Sequence, residues 1–358
     1  MSAFGVYVHV PFCAERCDYC AFVTYTGVDD LHGAYVDAVL SELALHRREG
    51  PIPEATSVFF GGGTPSRLSP ELLGTLIDAL ELAEGCELSV EVNPEDATEA
   101  YLSALVAAGV TRFSIGIQST SPTVLDELGR RHRGDDVGRL RQAVAASGVE
   151  RWSADLIVGA RTERDDHVKR SIAELLDAED APGHLSCYLL TVERGTPLSR
   201  DPARHPDDDV LAERYELVDG LLVERGYGWY EVSNWSRPGE ECRHNQLYWR
   251  QGDYLGLGVA AHSHRAPERR WNIARLETYL ERVGSGELPT AGSERVEGAS
   301  AEFERLALQL RTREGVPRGA FRGQEGLEDF LEPVADRLIL TRRGRLLADE
   351  LVRRLVVD

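Results

Sequence analysis

Lysine is almost missing from this chain: Lys169 is the only one in 358 residues, and arginine supplies every other strong base. With 60 acidic side chains against 40 basic ones the formal net charge is −20. No basic stripe offsets that charge, which argues against nucleic acid or an anionic membrane surface as the main partner. Long hydrophobic runs are absent as well, and no signal-peptide pattern is seen, so the chain reads as a soluble, cytoplasmic protein. Cysteine is scarce. Three of the six are crowded at Cys13, Cys17 and Cys20, a poor layout for a disulfide framework. Cys86, Cys187 and Cys242 stand apart and read as small buried hydrophobes.

What is there is a repeat of apolar run, turn and amphipathic stretch. Strands are expected at 4–10, 57–60, 87–92, 112–118, 152–159 and 184–191, with helices near 31–49, 69–83, 98–108, 121–146 and 165–178. Ser69-Pro70-Glu71 and Thr98-Glu99 have the form of helix starts, a capping hydroxyl followed by an acid. Six β/α units in a row call for a parallel sheet with right-handed crossovers, and near-continuous apolar strands fit a sheet covered on its outer face. The fold class is therefore α/β, a partial (β/α)6 barrel over 1–230. A helix near 207–226 and a strand at 229–234 continue this core. An extension over 231–283 follows, then a Gly/Ser/Glu-rich linker at 284–298, and a small C-terminal helical domain of winged-helix type at 299–358.

The cysteines stand at C-x3-C-x2-C directly after the first strand. Soft thiolates at short spacing hold zinc or iron–sulfur. A structural zinc site needs four ligands and no second C-x2-C exists. His9 is the nearest fourth donor, but alternation in "YVHV" makes it an ordinary strand residue. Three thiolates on a [4Fe–4S] cluster leave one iron open to a small cofactor. The "GGGTPS" loop at 61–66 lets backbone amides approach a ligand, with the Thr64 hydroxyl beside them. Polar residues gather at the C-terminal strand ends, where chemistry collects in parallel barrels: Glu91, Asn93 and Gln118, with Asp155 inside the fifth strand. Buried carboxylates need a ligand, a base or a donor, and Arg130 or Arg131 is expected to supply a nearby counter-charge.

The stretches "YVHVPFCAERCDYCAF", "FFGGGTPS", "VEVNP", "FSIGIQS" and "ADLIVG" resemble the radical S-adenosylmethionine superfamily. More narrowly, they resemble its branch of oxygen-independent coproporphyrinogen III oxidases and haem-chaperone relatives. The likeness runs to the "LTRRGRLLAD" segment near the end. It implies that Cys13, Cys17 and Cys20 hold a [4Fe–4S] cluster whose fourth iron chelates S-adenosylmethionine, cleaved by electron transfer to a 5′-deoxyadenosyl radical. It also implies that Tyr7, Tyr19, Gly62, Gly63, Thr64, Glu91, Gln118, Arg130 and Asp155 line the S-adenosylmethionine site, with Phe12 and Tyr19 keeping water from the cluster. One departure is the loop after the fifth strand, which reads "GARTERD" (159–165) where the family usually has a Gly-Leu-Pro-Gly-Gln-Thr-like turn.

Two features point to the chaperone branch. The oxidases carry a further cysteine two residues past the third ligand, where this chain has Phe22, and they carry an N-terminal extension before the first strand. A third is His244, Asn245, Tyr248 and Trp249 in "CRHNQLYWRQGDY", which resembles the H-N-x-x-Y-W haem motif of those chaperones. Imidazole suits haem iron, and Tyr and Trp offer flat apolar faces. From chemistry alone His244 is a core histidine among packed aromatics. With the resemblance it becomes the expected haem ligand, and His262 and His264 are rivals. The implied function is haem delivery to apo-cytochromes or other respiratory haemoproteins; the alternative is oxidative decarboxylation of coproporphyrinogen III. Homodimerisation and peripheral membrane contact are left open.

Overall fold

The computed structural model of the chain describes residues 3–130, 136–321 and 326–356; Arg131 lies outside them. The expected units are present: β1 (Phe4–Val10), α1 (His32–Glu49), β2 (Ala55–Gly62), α2 (Pro70–Asp78), β3 (Leu82–Val92), α3 (Glu99–Ala107), β4 (Arg112–Gln118), α4 (Pro122–Glu127), α5 (Asp136–Ser147), β5 (Arg151–Val158), α6 (Asp165–Leu176) and β6 (His184–Leu189). The two predicted helix caps form, since Ser69 accepts from the Leu72 amide and Thr98 from the Tyr101 amide. Two helix expectations change. Residues 121–146 make two helices, because Gly129 at φ 70° closes the turn after α4. The second helix stops at Asp78, and Leu82 already belongs to β3.

β1 to β6 pair in parallel and in chain order. Their alternation is strict and decides the architecture. Val6, Val8, Val58, Phe60, Val90, Ile115, Ala154 and Leu185 face the helices as a closed core. The intervening positions face the other way and are mostly polar. Register aligns Glu91, Ser114, Ser153 and His184 in one row, and Gly116, Asp155 and Ser186 in the next. The sheet thus presents a packed outside and a polar inside.

After α7 (Asp208–Glu224), the strand expected at 229–234 is a hairpin of β7 (Gly228–Glu231) and β8 (Asn234–Ser236), which caps the β6 edge antiparallel. Next come α8 (Arg243–Trp249), β9 (Asp253–Leu257), β10 (His262–Arg265), β11 (Glu268–Asn272), α9 (Leu276–Gly284) and β12 (Thr290–Arg295). β9 joins the free edge of β1 in parallel, so the barrel has a seventh parallel strand that the six-unit reading did not contain. The expected linker at 284–298 holds β12, the edge strand of the same sheet paired with β11. Its Gly and Ser mark a solvent-facing edge. The final part, expected as helical, has α10 (Gly298–Leu310), β13 (Val316–Pro317), β14 (Leu331–Val334), β15 (Arg337–Leu340), α11 (Arg342–Leu346) and α12 (Ala348–Val352). Its three strands form an antiparallel sheet in the order β13-β15-β14 over a separate core around Leu306, Leu310, Leu338 and Leu351. No helix among the described residues is long and apolar enough to cross a membrane.

Candidate functional site

The inner face of β1 to β6 encloses a cavity of about 630 Å³. The residues named above for the cluster, S-adenosylmethionine and haem line it, except Phe12, Trp249 and the rival histidines His262 and His264. The structure thus brings the cysteine loop, the glycine loop, the buried acids and most of the H-N-x-x-Y-W motif to one chamber.

The cysteine loop is pinned at its base. Cys13 N–H donates to Tyr25 O at 3.0 Å, Tyr25 N–H to Pro11 O at 2.7 Å, and Arg204 pairs with Asp18 at 2.8 Å. Phe12 is buried beneath it, edge-on to Tyr35 at 5.2 Å. The glycine loop closes on this base: Gly63 N–H donates to Val10 O and Thr64 N–H to Phe12 O, both at 2.8 Å. A Cβ on Gly63 would stand 2.9 Å from Phe12 O and 3.0 Å from Cys13 Sγ, so only glycine allows the two loops to meet. Gly62 has φ 115° and packs on the His9 ring. His9 has both ring nitrogens engaged, with Tyr7 Oη at 3.1 Å and Val23 O at 2.9 Å, and remains a strand residue.

Two buried acids stand on the inner face, on β3 and β5 with β4 between them. Burial, then the Asp155 charge, pushes the Glu91 carboxyl up to about 8, against one hydrogen bond from Gly62 N–H at 3.1 Å. Burial also raises Asp155, opposed by hydrogen bonds from Ser186 and from Ser114 at 2.8 Å, and by the Arg112 charge. Among the described residues Asp155 Oδ1 has no hydrogen-bond partner. Gln118 ends β4 at φ 63°, a conformation rare outside glycine, at a shift of register against β5. A backbone held in that region at a cavity wall is commonly functional.

Among the described residues no three His, Cys, Asp or Glu side chains are gathered closely enough to hold a metal ion as they stand. The case for a cluster rests on donor chemistry. Three thiols from one loop all face the chamber; burial raises Cys13 and Cys20, so their thiolate forms need a bound cation such as a metal to be favoured there. Opposite them, an orphaned carboxylate oxygen and a second buried acid suit a ligand bearing positive charge and several donors. Both fit a sulfur-held cluster with an amino-acid sulfonium beside it.

The haem motif is placed differently from expectation. His244 lies at the far end of the chamber, against the N-terminal part of β1, and is 1% exposed. Its ring bonds Ser57 Oγ at 3.0 Å and Tyr248 Oη at 2.9 Å and stacks on Phe59. Burial pushes its pKa down to about 3. Both nitrogens are occupied, so in this arrangement His244 is a core histidine. Asn245 donates to Tyr230 Oη at 3.1 Å, and Trp249 lies outside the chamber. Of the rivals, His264 bonds Gly252 O at 3.0 Å and His262 is exposed beside Trp271; neither lines the chamber.

Sequence reading missed the chamber floor: Arg112, Ser114, Ser153, His184, Ser186 and Asn234. The signal was available for Ser153, which lies two residues before Asp155 on the same strand, whereas Ser186 meets Asp155 only through the register of β6 against β5. Cys242, read as an isolated hydrophobe, also lines the chamber and donates to Glu87 Oε1 at 3.6 Å. In "GARTERD" the loop is held by acids: Glu127 accepts from the Arg161 and Thr162 amides at 2.9 and 2.8 Å, and Glu163 from Gly159 N–H at 2.6 Å.

Comparison with known proteins follows the same lines. Residues 7–175 match the family model described as the radical SAM superfamily. The haem chaperone HemW of Mycobacterium tuberculosis is 42% identical over 372 residues, covering 99% of this chain and 95% of that protein. HemW of Escherichia coli is 34% identical, covering 94% and 90%. Among solved structures, the coproporphyrinogen III oxidase HemN of Escherichia coli, a radical SAM enzyme, superimposes with a TM-score of 0.86. That match covers 98% of this chain and 89% of that one at 19% identity, a likeness of fold.

Proposed function

Because the chain belongs to the radical SAM superfamily and, within it, to the HemW family of haem chaperones, we propose that it binds haem as cargo and passes it in the cytoplasm to apo-cytochromes or other haemoproteins. A [4Fe–4S] cluster and S-adenosylmethionine would sit in the barrel. The observation that carries this reading is the single chamber in which Cys13, Cys17 and Cys20 face Glu91 and Asp155. When bound, the cluster and S-adenosylmethionine together supply one-electron chemistry at that point.

The chain's own residues set the conditions. Cys13, Cys17 and Cys20 hold the cluster; Gly62 and Gly63 let backbone approach the cofactor; Glu91 and Asp155 offer acceptors to its amino and hydroxyl groups; Tyr7, Tyr19, Thr64, Gln118 and Arg130 complete the wall. Phe22 is 64% exposed and lines the chamber mouth. An apolar side chain there supplies no thiol to reacting substrate and offers a flat face to an incoming macrocycle. This favours carriage over decarboxylation.

The reading keeps His244, Asn245, Tyr248 and Trp249 as haem contacts on one condition. For His244 to reach iron, its ring must give up the Ser57 hydrogen bond as α8 lifts from β2, the strand that carries Ser57. Anaerobic reconstitution followed by haem titration and a coproporphyrinogen III assay tests the proposal. Haem binding that His244→Ala abolishes, with no protoporphyrinogen IX formed, supports it. Sustained decarboxylation by the wild type refutes it.

A further inference from the structure

Two of the three cysteines are joined by a chain of side chains that their spacing does not reveal. Thr64 Oγ1 donates to Cys13 Sγ at 3.5 Å. Asn93 Nδ2 donates to Thr64 Oγ1 at 3.3 Å. Arg130 Nη2 donates to Asn93 Oδ1 at 3.0 Å, and its Nη1 to Cys17 Sγ at 3.5 Å. The polarity is consistent from end to end: every donor points toward a sulfur, and one buried guanidinium stands at the source of both branches. Asn93 links them, and its own position is fixed. Its backbone N–H donates to Ser66 Oγ at 3.2 Å, Ser66 Oγ donates to Asp96 at 2.8 Å, and Asp96 N–H donates back to Asn93 O at 3.0 Å. Arg130 is fixed too, by Nη2 on Gly116 O at 2.8 Å, a carbonyl approached through the missing Cβ of Gly116.

We propose that Asn93 is a positioning residue for the cluster: its carboxamide relays the Arg130 charge through Thr64 to the Cys13 sulfur, so that Cys13 and Cys17 are polarised by one cation. This rests on the reading that the three cysteines hold a [4Fe–4S] cluster. Hydrogen bonds donated to ligand sulfurs stabilise the more negative, reduced cluster and raise its potential. Chains of such bonds reinforce one another in a low-dielectric interior. Asn93 need not touch S-adenosylmethionine for any of this; it acts through Thr64 and Arg130.

The test is a redox titration of the reconstituted full chain, followed by electron paramagnetic resonance, without S-adenosylmethionine. Asn93→Ala is expected to move the midpoint to more negative potential and to speed iron loss to a chelator several-fold. Asn93→Asp keeps the acceptor for Arg130 but removes the donor to Thr64 and adds negative charge, so it shifts the same way. It also serves where the alanine variant fails to fold. The relay further requires non-additivity: in a Thr64→Val background, Asn93→Ala should shift the midpoint much less than it does alone. A wild-type midpoint in both Asn93 variants, or fully additive shifts, overturns the inference. A wild-type chain that takes up no cluster under these conditions refutes instead the reading on which it rests.

Discussion

Removing the Asp219 carboxylate should uncouple the C-terminal unit from the barrel. Asp219 sits on α7, 1% exposed, and accepts from Arg345 Nη1 and Trp235 Nε1, each at 2.8 Å, and from Arg342 Nε. Arg345 is sealed by more than its ion pair, because its guanidinium lies 4.6 Å from the Trp229 ring and 5.4 Å from Tyr215. Asp219→Ala therefore leaves a buried cation with aromatic faces and no counter-charge, a loss of about 3–5 kcal/mol. The Trp235 indole N–H, fully buried, loses its acceptor at a cost of about 1–3 kcal/mol. One carboxylate serves both partners, so the two costs overlap and about 4 kcal/mol is expected. Arg342 adds little, since its side chain is 45% exposed and screened.

The loss should be local, because α10 to α12 and β13 to β15 pack on their own core. Hydrogen exchange should rise in 298–356 before it rises in β1 to β6. Guanidinium unfolding should show an earlier first transition. Asp219→Asn, which keeps an acceptor and loses the charge, should cost about half as much. Burial alone raises this carboxyl, but the Arg345 hydrogen bond and charge, with Trp235 and Arg342, outweigh that and hold it below the usual aspartate range. The clasp is thus complete above the ordinary aspartate pKa and is lost as pH falls below it. A loss under about 1 kcal/mol, or exchange rising equally in both parts, would refute the reasoning.

Two further outcomes follow from the chamber. Gly63→Ala places a Cβ 2.9 Å from Phe12 O and 3.0 Å from Cys13 Sγ; iron and sulfide per chain after reconstitution should fall several-fold while the circular dichroism spectrum is kept, and wild-type iron content would contradict the loop geometry. Glu91, pushed up to about 8, binds a proton in the folded chain that the unfolded chain has released above its ordinary pKa of 4.5. Its share of stability therefore falls as pH rises through that window, by about 1.4 kcal/mol per pH unit at most. Glu91→Gln should flatten urea-unfolding stability measured from pH 5 to pH 8, leaving the part due to Glu163 and Glu231, both pushed up to about 7 by burial. An unchanged slope would show that Glu91 is charged in the folded chain.

The limits of sequence reading follow from the range over which each signal acts. β1 and β4 were legible to the residue because apolar runs bounded by turns are local patterns. The cysteine loop, "GGGTPS" and the acids were legible because strand ends of a parallel barrel converge wherever each strand lies. The seventh parallel strand was not, because β9 pairs with β1 across about two-thirds of the chain and its run "DYLGL" differs in no way from a hairpin strand. β12 was hidden for the opposite reason: an edge strand with a solvent-facing side carries the polar composition of a linker. His244 shows the deepest limit. Its residue type and neighbours suit haem equally well whether the ring is free or bonded, and only the positions of Ser57 and Tyr248 reveal that both nitrogens are taken. The motif therefore specifies what can bind only together with the motion that frees it: if His244 ligates haem, hydrogen exchange in α8 must increase on haem binding, since the helix cannot keep the Ser57 contact and present the ring to a macrocycle.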